Sequence, residues 1–177
     1  MRLRYLSVVL LLVFPLVACG GSSETNATPS IDLLTAIDKE NVTIIKQHID
    51  VGTDLNEYPI PEGLPFEGAQ PIHLAVLKGN AEIVKMLLEN GVQIDLKAKN
   101  KDEATPLHWA AFFDQKGMVS LLIESGAPIN VLDANGLTPR DSGFFAWSLS
   151  QDDEGKTRLG EIMAIIEDNG GLSALEL

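Results

Sequence analysis

Between residues 70 and 171 the chain states one sentence several times. TPLHWAAF, beginning at Thr105, restates QPIHLAVL, beginning at Gln70. Pro71 and Pro106 lie 35 residues apart, as do His73 and His108, and as do Gly91 and Gly126. A third copy, TPRDSGFF, starts at Thr138 and sets Pro139 another 33 residues along. Between these markers a second phrase recurs, NAEIVKMLLENGVQID (80–95) and then QKGMVSLLIESGAPIN (115–130). NVTIIKQHIDVGTDLN (41–56) is a weaker copy upstream, and LGEIMAIIEDNGG (159–171) is weaker still downstream. A unit of this length cannot bury its apolar side chains alone, so the period requires neighbouring units to supply one another's core.

Each unit has a physical reading. Thr105 is placed as an N-cap and Pro106 as a first helical residue, where a missing N–H costs nothing. The short helix that follows ends near Gly79 in one copy and Asp114 in the next, both residue types that accept a left-handed turn. The second helix carries Ile83, Val84, Leu87 and Leu88 at helical spacing. Gly91 and Gly126 then stop it, and an extended polar segment leads to the next Thr/Gln-Pro.

This helix–turn–helix–loop with a period near 33 resembles the ankyrin repeat. The resemblance implies an all-α ankyrin-repeat solenoid of about four helix-turn-helix units, near residues 31–67, 68–100, 101–134 and 135–177, with divergent terminal copies serving as caps. In that family the histidine of the Thr-Pro-Leu-His stretch ties its helix start to neighbouring loop backbone. His73 and His108 match that position and are expected to be scaffold. Pro71, Pro106, Pro139, Thr105, Thr138, Gly91 and Gly126 are expected to mark the repeat in the same way. In the first copy His48 takes the place of Leu87, and in the last Asp141 replaces the histidine. With three histidines and one cysteine so disposed, no zinc ligand set can be assembled, and neither a metal nor a cofactor is expected.

The chain begins MRLRYLSVVLLLVFPLVACGG. Arg2 and Arg4 precede an apolar run from Leu6 to Ala18 that is short for a membrane span, the layout of a secretory signal. Leu16-Val17-Ala18-Cys19 resembles a bacterial lipobox, which makes Cys19 the expected lipidated residue, 1–18 the signal peptide and 19–30 the lipidated cysteine with a flexible tether. An ordinary signal or an uncleaved anchor is the alternative. Gly20 in place of Asp favours the outer membrane, by resemblance to enteric lipoproteins. The expected location is therefore the periplasmic face of the envelope, lipid-anchored. Loss of the signal removes two arginines from 13 basic side chains and none of the 25 acidic ones, which leaves 11 against 25 and a charge near −14. Such a charge disfavours nucleic acid and anionic head groups, and suits either a basic protein partner or plain solubility.

Three departures from the family pattern locate candidate binding residues. The stretch NEYPIPEGLPFEGAQP, Asn56 to Pro71, is about six residues longer than its counterpart from Asn130 to Pro139 and carries four prolines with Tyr58, Ile60 and Phe66. It reads either as a binding finger or as a loop folded back over the core. Lys97, Lys99 and Lys101 cluster before Asp102 and Glu103, read as a solvated tip. Aligned inner-helix positions that face the family's concave groove are Asp38 and Lys39, Leu77 and Lys78, Phe112 and Phe113, then Phe145 and Ala146. Three phenylalanines with Leu77 form a candidate interaction surface, unless the proline loop or the segment Ser148–Gly160 covers them. Trp109 aligns with Leu74 and is expected in the core, whereas Trp147 has no assigned place. Gln151–Gly155 reads as a solvated loop, since the rest of a calcium-binding series is absent.

No Gly-x-Ser-x-Gly elbow, Gly-rich phosphate loop or His-Glu-x-x-His occurs. The expected function is non-enzymatic: a protein–protein interaction module, monomeric when free, touching the membrane only through its N-terminal lipid. Its expected contacts are Leu77, Lys78, Phe112, Phe113 and Phe145, with Tyr58, Ile60 and Phe66 from the proline loop. Ankyrin-repeat lipoproteins resemble, in some cases, immunity proteins against periplasm-acting phospholipase toxins, and in others stress-related helpers linked to catalase. The sequence does not separate these, and a hydrolase is the alternative of a different class.

Overall fold

The computed structural model describes residues 28–177, so the signal peptide, Cys19 and most of the tether lie outside the described residues. The described chain holds eight helices and no strand: α1 (Leu33–Asp38), α2 (Val42–Asp50), α3 (Pro71–Leu77), α4 (Ala81–Glu89), α5 (Pro106–Phe112), α6 (Lys116–Glu124), α7 (Pro139–Leu149) and α8 (Asp153–Asp168). They pair in chain order into four antiparallel hairpins.

Local chemistry starts and stops each helix. Pro71, Pro106 and Pro139 each open an inner helix behind a residue in extended conformation, Gln70, Thr105 and Thr138. Asn41 and Asn80 cap outer helices by accepting the backbone N–H of Ile44 and of Ile83, each at 3.1 Å. The hairpin turn needs one left-handed residue, supplied by Glu40, Gly79 and Asp114 in successive units (φ 52°, 68° and 58°). At the far end of each outer helix stands a glycine, Gly91 and Gly126 among them, with φ of 87° and 88°. A Cβ there would meet nothing within 4 Å. Backbone conformation, not space, therefore selects glycine.

The inner helices α1, α3, α5 and α7 stack side by side in one layer, and α4, α6 and α8 succeed one another in the second. One buried cluster runs the length of the stack, from Leu33 and Ile37 through Ile72, Leu87, Leu107 and Leu122 to Ile162 and Ile166. Each such side chain contributes about 1.5–3 kcal/mol on burial, and each is covered by a neighbouring hairpin as well as its own. Gly143 packs α7 between its neighbours: a Cβ there would come 3.3 Å from the Met163 side chain on α8 and, in ordinary contact, 3.7 Å from that of Ala111 on α5.

The last hairpin departs from the expectation. Gln151–Gly155 is not a free loop throughout: Asp153, Glu154 and Gly155 form the first turn of α8, and Asp152 caps it by accepting the N–H of Gly155. Consecutive carboxylates at a helix N-terminus interact favourably with the unpaired N–H groups there. α7 and α8 consequently reach 11 and 16 residues, against 7 and 9 for α5 and α6.

Candidate partner-binding groove

The loops that border the groove are set by the buried histidines. The backbone N–H of Gln70 donates to Nδ1 of His73 at 3.3 Å, and Nε2 donates onward to the carbonyl of Ala104 at 3.0 Å. One repeat later the N–H of Thr105 donates to Nδ1 of His108 at 3.2 Å, its hydroxyl lies 2.7 Å from the same nitrogen, and Nε2 donates to the Leu137 carbonyl at 3.0 Å. Nδ1 must be bare and Nε2 protonated for both bonds to form, so each ring is neutral. Burial pushes the His73 pKa down to about 4 and lowers that of His108 for the same reason, with the carbonyl acceptors opposing the shift. His73 and His108 thus each pin the carbonyl just ahead of the next unit's cap residue.

Asp141 carries this joint differently in the last unit. A carboxylate can only accept, so it takes the N–H of Thr138 at 3.3 Å and that of Ala174 at 2.8 Å, while the Thr138 hydroxyl donates to the Leu172 carbonyl at 2.8 Å. His48 ties the other end, with Nε2 2.9 Å from the Ile31 carbonyl and Nδ1 3.1 Å from the Thr53 hydroxyl.

With the loops so placed, aromatic rings form a continuous path across the groove floor. Phe66 lies 5.6 Å from Trp109 and 5.8 Å from Phe113, ring centre to ring centre. Phe113 is 5.0 Å from Phe112, which stacks on Phe145 at 6.1 Å and 28°. Such spacings are favourable for ring pairs. Trp109 is buried, Phe112 and Phe113 are partly buried, and Phe66 and Phe145 are 44 % and 50 % exposed. The path is therefore a surface feature with a buried base. It borders a cavity of about 520 Å³ between α5, α7 and three loops.

The proline loop folds back over the core and leaves its tip exposed. Ile60 and Gly68 close it by backbone bonds, the Ile60 N–H to the Ala69 carbonyl at 2.8 Å and the Gly68 N–H to the Ile60 carbonyl at 2.9 Å. The following loop then joins it, as the Lys99 N–H donates to the Gly68 carbonyl at 2.7 Å. Tyr58 and Ile60 pack against the core, while Leu64 and Phe66 remain exposed at the tip. Phe66 holds φ at 62°, an uncommon conformation for a bulky residue and one that strains the backbone.

That tip divides the expected contact residues. Phe112, Phe113 and Phe145 line the cavity on one side of it, and Tyr58, Ile60, Leu77 and Lys78 line a second of about 1090 Å³ on the other. Leu64 and Phe66 border both. Lys78 is engaged with Asp38 at 3.2 Å, and the Leu77 carbonyl accepts the Gln115 amide at 3.1 Å. Of the lysine cluster, Lys97 pairs with Glu103 and Lys99 with Glu57. Sequence reasoning did not single out Leu64, Phe144 (50 % exposed) or the carboxylates Asp102 and Asp133 beside the aromatic cavity. Asp102 and Asp133 lie in the loops of successive repeats, outside the repeated phrases, and carry no sequence signal of facing one cavity. Among the described residues no group of three or more His, Cys, Asp or Glu could hold a metal ion, and no helix is long and apolar enough to cross a membrane.

Comparison with known proteins agrees with this geometry. The family model for ankyrin repeats, in three copies, matches residues 33–133. Alpha-latrocrustotoxin-Lt1a of Latrodectus tredecimguttatus is 32 % identical over 120 residues, which is 68 % of this chain and 8 % of the toxin. Alpha-latroinsectotoxin-Lt1a of the same species is 30 % identical over 109 residues, 62 % of this chain and 7 % of that protein. The chain thus spans less than a tenth of the length of either relative.

Proposed function

The chain belongs to the ankyrin-repeat family, whose repeats serve as protein–protein interaction modules, and we propose that this one grips a protein partner in the groove floored by Phe112, Phe113 and Phe145 and overhung by the proline loop. The observation that carries the reading is the run of rings from Phe66 to Phe145. Its ends are half exposed, although a buried aromatic base lay within reach. Aromatic side chains with one face buried and one face open are rigid, lose little entropy on binding, and dominate interface energetics. No bond need be made or broken in this role, and recognition rests on a surface assembled before the partner arrives.

In our reading the module is held at the periplasmic face of the envelope by a lipid on Cys19, with the tether giving the groove its reach. The acidic surface then favours encounter with a basic partner. Resemblance to ankyrin-repeat lipoproteins suggests two roles, a stress-related helper and an immunity protein. We take the second, in which the groove occupies a periplasm-acting toxin such as a phospholipase, as the one to test.

The test is crosslinking from the intact envelope with the tethered chain as bait, followed by titration of the captured partner. Phe112→Ala and Phe145→Ala are each expected to weaken binding by about 1–3 kcal/mol while leaving the helical circular dichroism unchanged. Unaltered affinity in both variants would remove the groove from the interface. A captured toxin whose activity the chain suppresses would support the immunity role, and any other partner would not.

A further inference from the structure

The aromatic cavity carries a second feature that its apolar floor does not require. Asp102 and Asp133 sit at its rim on adjacent loop tips, bridged by Asn135, whose side-chain amide lies 3.3 Å from Asp102 and 3.4 Å from Asp133. Glu67 completes the rim from the proline loop. Several neighbouring carboxylates are matched by cations, Asp38 by Lys78, Glu57 by Lys99, Glu103 by Lys97 and Asp114 by Arg158. Among the described residues, Glu67, Asp102 and Asp133 form no ion pair. Against these three charges Lys101 is the one cation in the lining, which leaves an excess of two negative charges over a wall of exposed phenylalanine.

We propose that this cavity is a receptor for an arginine or lysine flanked by apolar residues on a protruding loop of the partner protein. This rests on the reading of the groove as a protein-binding surface and names what the groove selects. Two attractions act on such a side chain together. Its aliphatic stem lies on apolar surface while the cationic head reaches the polar rim. The face of an aromatic ring attracts a cation, arginine most readily because the planar guanidinium also stacks. Phe112 and Phe145, stacked on each other 28° from parallel, both line the cavity. The chain already makes the same contact within itself, where Lys156 lies 5.5 Å from the centre of the Trp147 ring. A volume of about 520 Å³ fits a few residues rather than a domain. An anionic side chain entering there would face three carboxylates in a partly desolvated site, which excludes acidic loops as firmly as it admits basic ones.

The experiment uses the full chain in mild detergent and two acetylated pentapeptides, Gly-Leu-Arg-Phe-Gly and the same peptide with citrulline, its neutral isostere, in place of arginine. Calorimetric titration is expected to show the arginine peptide binding about ten-fold more tightly than the citrulline peptide. The preference should shrink to about two-fold in the double variant Asp102→Asn, Glu67→Gln and at 0.5 M salt. Asp133→Asn, expected to reduce the preference likewise, is a second variant. It keeps an acceptor for the N–H groups of Asn135 and Leu137, which the Asp133 carboxylate takes at 2.8 and 2.9 Å. Near-ultraviolet circular dichroism shows that each variant keeps its ring packing. Equal binding of the two peptides would overturn the cation receptor and leave the aromatic groove standing. Binding of neither peptide would also overturn it, while capture of a partner that Phe112→Ala weakens would still uphold the groove. A preference untouched by the carboxylate variants would place the cation elsewhere on the acidic surface, and the proposal would fall.

Discussion

His108 occupies 2 % of its possible exposure and makes bonds to two different repeats, one to its own helix start and one to the loop ahead of the next. Replacing it with alanine leaves the buried Thr105 N–H without a partner, at about 1–3 kcal/mol. It also takes from the Leu137 carbonyl one of its two donors (the Asp133 N–H remains, at 3.0 Å) and removes a fully packed ring. His108→Ala is therefore expected to lose about 2–5 kcal/mol in urea unfolding, and a loss under 1 kcal/mol would show that water replaces the ring. The same joints make stability depend on pH. The folded-state pKa of His73 lies at about 4, below the ordinary value of 6.5, so the unfolded chain binds a proton more readily than the folded one. The contribution is fully present above pH 6.5 and is lost as pH falls through about 4. For His73 it amounts to about 3 kcal/mol, with His108 adding in the same direction. The urea midpoint measured between pH 7 and pH 4 checks this, and His73→Gln should flatten the profile. Both histidines were legible as scaffold from their place in a repeated phrase. Asp141 was legible as a departure, but not that it would turn to Ala174, because a carboxylate's partner follows from which donor the fold brings near.

Glycine marks two kinds of place in the helices and loops, and substitution separates them. At Gly126, φ of 88° with open space around the missing Cβ means that Gly126→Ala costs only the backbone strain, about 1–2 kcal/mol. At Gly68, φ is 76° and a Cβ would stand 2.4 Å from the Lys99 carbonyl oxygen. Gly68→Ala should therefore cost roughly 3 kcal/mol or more and detach the two loops that edge the groove. Paired thermal unfolding of the two variants decides between them. Equal losses would mean that the loops are not joined as the Lys99 to Gly68 bond requires. The stops at Gly91 and Gly126 were readable because helix periodicity ends there. The first turn of α8 was not, since Asp152-Asp153-Glu154-Gly155 is polar all round and carries no period. Its helicity comes from a cap, from charge at the helix start, and from α7 lying alongside.

A stack without ends would bury every apolar register position, and the last hairpin shows where this one stops. Phe144 holds the inner-helix position of Val76 and Ala111, both fully buried, yet is half exposed and stacks on Trp147 at 5.8 Å instead of on a further helix. The hairpins before it depend on this cap, since Ala111 meets α7 at Gly143. Deleting residues 138–177 would open the α5 and α6 flank, and the truncated chain is expected to lose its cooperative urea transition. A truncated chain with the full chain's midpoint would show hairpins that fold independently.

The sequence by itself determined the repeat, its period, the helix starts and stops, and which histidines build rather than react. These are local or periodic properties, written in spacing and residue type. Tertiary structure alone decided that the tip of the proline loop would rest on Trp109 and Phe113 and split the groove in two. It alone decided that Asp102 and Asp133, 31 positions apart in sequence, would share one rim. Those outcomes depend on how far each hairpin is displaced and turned against the last, a quantity set by packing across the stack that no single stretch of chain encodes.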